Sequence, residues 1–173
     1  WVECDVRLTR DNVMVLHHDN GRSGHGNGWK SIRELDYDQL KTMDIGGGQY
    51  VPKVSDILER FKDKLHFDLE LKEIDTVERI LPLIEKNGIN ERVVITSFIP
   101  EALQLVKETA PHIRTGLLID RLTGNITGGR SAVNGALLLG CSFIAPDYRI
   151  IKPDWIEAAK SEGLRTVAWT VNH

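Results

Sequence analysis

The chain has 173 residues and a mass of 19.5 kDa, with 22 basic against 25 acidic side chains. At 41% apolar and 27% charged it has the composition of a globular domain, long enough for one sizeable core. A formal charge of -3 gives no electrostatic ground for a nucleic-acid partner. No apolar run approaches the ~20 residues that span a bilayer, so no integral membrane segment is expected. The 2 cysteines are too few for a disulfide scaffold and read as free buried thiols.

In chain order, short segments rich in β-branched residues predict strands over 1–8, 13–16, 65–71, 93–97, 115–119, 142–145 and 166–171. Between them lie helical patterns. Ser31 and Glu34 form a possible capping box ahead of Leu35, Leu40 and Met43. Val54, Ile57, Leu58 and Phe61 have helical spacing. Asp75 could cap a helix through Val77, Ile80, Leu81 and Ile84 that stops before Gly88 and is kinked at Pro82. Pro100 and Pro153 each sit where the first turn of a helix tolerates proline. The segment 121–135, rich in Gly, Thr and Asn, reads as a mobile loop. Strand alternating with helix predicts an α/β fold with a parallel sheet, in a single domain over 1–173. No Gly-rich turn follows a strand, so a (β/α)8 barrel is favoured over an open doubly wound sheet. Six main strands, with 13–16 set aside, make it an incomplete barrel. Both ends read as strand, so both are expected to be interior to a longer chain.

The strands carry charges that such a sheet should not tolerate. In the first, alternation places Glu3 and Asp5 on one face and Val2, Cys4 and Val6 on the other. A strand buried on both sides should be almost wholly apolar. Two unpaired carboxylates there would cost on the order of several kcal/mol each in lost hydration. A bound cation would offset that cost; the alternative is a solvated strand end with basic partners. In 65–72 the pattern recurs, with Asp68, Glu70 and Lys72 on one face. Glu70 can complete an oxygen-only site with Glu3 and Asp5, a donor set suited to Mg2+, Ca2+ or Mn2+. Lys72 could bind an anionic oxygen or pair with Glu70 or Asp68. His17-His18-Asp19 follows another β-branched run, and a histidine there could act as general acid or base. Cys4 faces away from the carboxylates and is excluded as a ligand. His25, His66 and His112 read as surface residues, and Trp155 as packing between layers.

In order, Glu-x-Asp, Leu-His-His-Asp, an insertion at about 20–48, Val-Pro-Lys-Val-Ser-Asp-Ile-Leu, Asp-Leu-Glu-Leu-Lys, Thr-Ser-Phe and Trp-Thr-Val-Asn resemble the glycerophosphodiester phosphodiesterase family over essentially the whole chain. The resemblance implies a TIM barrel with a small insertion, the part that follows the Glu-x-Asp strand here. It implies metal ligation by Glu3, Asp5 and Glu70, catalytic roles for His18 and Lys72, and substrate contacts from Lys72, Phe98 and Trp169. The implied reaction is metal-dependent hydrolysis of a small-molecule glycerophosphodiester to glycerol 3-phosphate and an alcohol, with Mg2+ or Ca2+, or Mn2+, as cofactor. The family's His-Arg-Gly strand, its Pro-Glu-Asn-Thr segment and its Gly-x-x-x-x-Thr-Asp strand are not in this sequence. The expectation is therefore a barrel without its first and last strands, with weak or absent catalysis. Alternatives are a lysophospholipase D-like enzyme on the same barrel and a non-catalytic phosphodiester-binding scaffold. The dense glycines of 20–48 suit either a cap over the pocket or a plain surface excursion. Oligomeric state stays open; so does the compartment, with the cytoplasm favoured over export.

Overall fold

The computed structural model describes residues 1–24 and 28–171, with side chains 22–29 and 123–127 left undescribed. His25 and the Trp29 side chain therefore lie outside the described residues. The chain forms two compact units, Trp1–Val93 and Val94–His173.

In the first unit, β1 (Val2–Leu8) runs antiparallel to β2 (Met14–Leu16) and parallel to the strand before Lys72. The intervening insertion holds two small hairpins, β3 (Gly21–Gly24) with β4 (Gly28–Ser31), and, after the short helix α1 (Tyr37–Leu40), β5 (Asp44–Gly46) with β6 (Gln49–Tyr50). Then come α2 (Val54–Phe61), β7 (Phe67–Leu71) and α3 (Val77–Asn87). Val6 and Leu8 of β1 and Phe67, Leu69 and Leu71 of β7 are buried, as are Val54 and Leu58 of α2 and Val77, Ile80, Leu81 and Ile84 of α3. Ile32, Leu35 and Leu40 of the insertion join Val15 of β2 and Val51 in one buried cluster, with Val13, Tyr37 and Met43 packed on it.

Two local expectations change here. Glu34 does reach back to Ser31, accepting from its amide at 2.8 Å and its hydroxyl at 2.9 Å. Yet the turn it closes, Ile32–Glu34, is a single 3-10 turn rather than the start of a helix through Met43. Leu35 turns extended, and Asp36 starts afresh as the cap of α1, its amide donating to Gln39. Asp75 is not the cap of α3, because it lies within the 3-10 turn Ile74–Thr76 that precedes that helix. α3 continues through Pro82, which is exposed, as is Glu78, the residue whose carbonyl loses an amide donor there; water can serve that carbonyl. Gly88, at φ 67, ends the helix in the left-handed conformation that glycine adopts without strain.

The second unit is a regular parallel succession. β8 (Val93–Ser97), α4 (Pro100–Thr109), β9 (Arg114–Ile119), α5 (Arg121–Leu138), β10 (Phe143–Pro146), α6 (Pro153–Ser161) and β11 (Arg165–Thr166) follow one another. Within it the strand order is β8-β9-β10-β11, every neighbouring pair parallel. Pro100 and Pro153 occupy the first turns of α4 and α6 as the sequence leads one to expect.

The segment 121–135 is helical, not a loop. Gly129, Ala132, Val133 and Ala136 are buried with helical spacing, and a break at Gly128 (φ 69, ψ 168) divides the helix. The residues on that face are small, so a weak hydrophobic signal hides a tight contact. A methyl on Gly129 would lie 2.5 Å from the Trp155 indole of α6, so this glycine lets the two helices close on each other. Trp155 is buried, as its helical position suggested.

Strand pairing at the end of the unit is shorter than expected, Arg165–Thr166 instead of 166–171. The extended alternation nonetheless continues. The Val167 amide donates to Ile144, and that of Trp169 to Pro146.

Gly116 of β9 is paired in register with Phe143 of β10, and a methyl on it would fall 2.2 Å from the Phe143 ring. Gly116→Ala is therefore expected to destabilise by about 1–3 kcal/mol through overpacking, read as a lowered midpoint of denaturant unfolding at unchanged slope.

A second test concerns Asp147, buried just past β10. The Arg149 guanidinium, donating to both carboxylate oxygens, and then the Arg149 amide at 2.9 Å, hold its pKa down at about 2. Because the folded pKa lies below the ordinary value, the stabilisation is complete above the unfolded carboxylate range and is lost as pH falls through the folded value. Asp147→Asn should flatten the decline in stability between about pH 4 and pH 2. An acid-unfolding curve parallel to that of the parent chain would contradict this.

Candidate active site

Register builds the site. Glu3 is paired with Asp68 and Asp5 with Glu70 across the parallel β1–β7 ladder. In a parallel pair, partnered residues project from the same face, so four carboxylates share one side while Phe67, Leu69 and Leu71 fill the other. Within this group, Glu3, Asp5 and Glu70 bring one carboxylate oxygen each to within 4.8 Å of one another. Glu3 keeps access to solvent, Asp5 is half-buried and Glu70 is buried. The sequence-derived trio is thus a real cluster, drawn from two strands remote from each other in the sequence.

The electrostatics match the crowding. The Glu3 carboxyl is pushed up to about 7, first by desolvation and then by Asp5, Glu70 and Asp68, with Lys72 opposing. Burial raises Glu70 as well, against the pull of Lys72. Cys4, half-buried on the opposite face, is pushed up to about 11 by burial and then by Glu3, Asp5 and Asp68, which leaves it a neutral thiol. The Lys72 ammonium bridges the cluster, 2.9 Å from Asp5 Oδ1 and hydrogen-bonded to Glu70. Its own amide donates to the Val6 carbonyl. Asp5 and Glu70 are thus both ion-pair partners of Lys72. A donor set of carboxylate oxygens alone, more negative than one ammonium can balance, fits a hard divalent cation.

The His17–His18 segment leaves β2 beside this strand. The His17 amide donates to the Asp5 carbonyl at 3.0 Å, tying the segment to the residue that carries a candidate ligand. His17 Nδ1 lies 2.9 Å from the Asp19 carbonyl, which engages that ring locally. His18 is open to solvent, with Nδ1 3.0 Å from Asp19 Oδ1. This contact holds the Asp19 carboxyl below its ordinary range and leaves His18 Nε2 facing away from it.

Phe98 and Trp169 belong to the second unit. Their rings meet edge to face at 5.5 Å and 84°, with the Trp169 indole donating to the Ala145 carbonyl at 2.7 Å. Trp169 also packs on the cluster of Val94, Phe143 and Ala145. Of the other histidines, His112 is exposed as expected. His66 is not a plain surface residue: it is half-buried, its ring lies 4.9 Å from Trp1, and its Nδ1 is buried without a partner. Sequence reasoning passed over Arg7, which shares the face of Glu3 and Asp5 by the same alternation and contacts the His17–His18 backbone.

A parallel α/β sheet with acidic side chains gathered on one face defines a candidate divalent-cation site, and comparison with known proteins narrows what it serves. The model of the glycerophosphoryl diester phosphodiesterase family matches residues 1–173. A glycerophosphodiester phosphodiesterase of Caldanaerobacter subterraneus is 28% identical over 184 residues, covering 99% of this chain and 73% of the relative. The crystal structure of a glycerophosphodiester phosphodiesterase from Parabacteroides distasonis superposes with a TM-score of 0.83 at 25% identity, over 99% of this chain and 71% of that one. A phosphodiesterase of Oleispira antarctica, solved with the product sn-glycerol-3-phosphate, gives a TM-score of 0.85 at 21% identity, over 100% of this chain and 73% of that one. The fold is accordingly that of an incomplete (β/α)8 barrel. The chain belongs to the glycerophosphoryl diester phosphodiesterase family, whose members hydrolyse glycerophosphodiesters with a divalent metal. Among the described residues no helix is long and apolar enough to cross a membrane.

Proposed function

We propose that the chain hydrolyses glycerophosphodiesters to glycerol 3-phosphate and an alcohol with a divalent cation, Mg2+, Ca2+ or Mn2+, held by Glu3, Asp5 and Glu70. The observation that carries this reading is the convergence of those three carboxylates within 4.8 Å. When bound, the cation supplies positive charge to the phosphodiester oxygens. Lys72 has its ammonium already at the cluster and would hold a non-bridging phosphate oxygen. His18 would give a proton to the departing alcohol oxygen as the bond from phosphorus to that oxygen breaks and the bond from the attacking oxygen forms. Asp19 would orient its ring through Nδ1. Phe98 and Trp169 are assigned to the substrate pocket on the family resemblance, and their edge-to-face pairing makes a preformed apolar surface.

These 173 residues contain neither His-Arg-Gly nor Pro-Glu-Asn-Thr. The polypeptide by itself therefore supplies one of the two histidines the family pattern uses, and its turnover should be weak. Calorimetric titration of the chain with Mg2+, Ca2+ and Mn2+, followed by an assay of glycerol 3-phosphate released from glycerophosphocholine, tests the reading. Ion binding with slow, chelator-sensitive release supports it. An absence of ion binding would refute it. Faster release from a lysolipid than from glycerophosphocholine would shift the substrate to the lysophospholipase D-like class.

A further inference from the structure

Arg7 extends the charged face of β1 by one more alternation, and its side chain is only 12% exposed. Its guanidinium is turned onto the backbone that carries His18. Nε donates to the His17 and His18 carbonyls, each at 3.2 Å, and Nη2 donates to the His18 carbonyl at 2.8 Å. Nη1 faces Glu73 Oε1 at 3.8 Å. Glu73 is paired in turn with Arg33 of the insertion at 2.8 Å, and Arg33 with Asp75 at 2.7 Å. A planar fork engaging two successive carbonyls, and itself braced by a carboxylate, fixes a backbone in height and direction; a lysine ammonium, as a single point donor, cannot do the same.

We infer that Arg7 is a positioning residue for His18. It holds the His17–His18 backbone against β1, and Glu73, the neighbour of Lys72, lies within ion-pair distance of the guanidinium. The inference rests on the reading of His18 as proton donor to the leaving alcohol, and it adds a residue that touches neither substrate nor ion. Its signature follows from that role. Misplacing a proton donor slows reactions whose leaving group needs a proton and spares those whose leaving group does not.

The test uses Arg7→Met, Arg7→Lys and His18→Ala in the full chain. Three properties are measured: hydrogen exchange of the His17 amide, which donates to the Asp5 carbonyl, Mg2+ affinity by calorimetry, and hydrolysis of glycerophosphocholine against a glycerophospho-p-nitrophenyl ester. In Arg7→Met, exchange should quicken by about 10-fold or more while Mg2+ affinity stays unchanged. For the choline ester kcat should fall by about 10–100-fold at constant KM, with the nitrophenyl ester little affected. Arg7→Lys should recover part of the loss. Unchanged exchange, equal losses on both esters, or a parallel fall in Mg2+ affinity would overturn the assignment. Should Arg7→Met fail to fold, Arg7→Gln provides the second variant: quickened exchange at the same amide supports the clamp, and unaltered exchange overturns it. If His18→Ala costs no rate on the choline ester, the proton-donor reading fails instead, and the exchange data alone decide whether Arg7 orders the segment.

Discussion

Glu70→Gln is expected to weaken binding of Mg2+ or Ca2+ by about 100-fold or more while leaving the fold in place. Partners that merely orient metal ligands are worth ~10–100-fold in affinity, and here a ligand's own charge is removed. Glu70 is the most buried of the three carboxylates, so water is poorly placed to substitute for it. The amide is close in size to the carboxylate, so packing around Leu69 and Leu71 should persist. Calorimetric titration reads the affinity, and circular dichroism reads the fold. Retained affinity would remove Glu70 from the ligand set.

His18→Ala should behave in the opposite manner, losing rate and keeping the ion. A positioned general acid contributes typically ~10²–10⁴-fold, and in a chain that also carries the family's His-Arg-Gly strand the alanine variant should fall within that range on an alkyl ester. Its side chain is exposed and hydrogen-bonded to Asp19, not to the carboxylate cluster, so neither ion affinity nor stability should change appreciably. Parallel measurements of ion binding and glycerol 3-phosphate release on the two variants separate the roles. An unchanged rate in the alanine variant would take His18 out of the mechanism.

Much of this molecule could be read before its coordinates. Burial on both faces forces parallel strands to be apolar, which made the charged positions of β1 and β7 conspicuous, and period-two alternation then placed Glu3, Asp5 and Glu70 on common faces. The first-turn prolines of α4 and α6 and the glycine stop of α3 were similarly visible because each answers a local backbone requirement. α5 was not, because its buried face is made of Gly129, Ala132, Val133 and Ala136, and small side chains carry little hydrophobic contrast. Its stability comes from close contact with Trp155, a tertiary fact. The clamp on His18 was hidden for a different reason. The acceptors of Arg7 are main-chain carbonyls, which no side-chain pattern encodes.

The pairing of Asp5 with Glu70 also has a bearing on how β1 and β7 find each other. A slip of one residue along either strand would drive its acidic groups into the hydrocarbon interior and turn leucine or valine out toward water. The charges that make the chemistry possible therefore act as a proofreading device during assembly. A misaligned sheet is penalised at the same positions that an aligned one uses for work, so the register that the fold favours is also the one that assembles the carboxylate cluster.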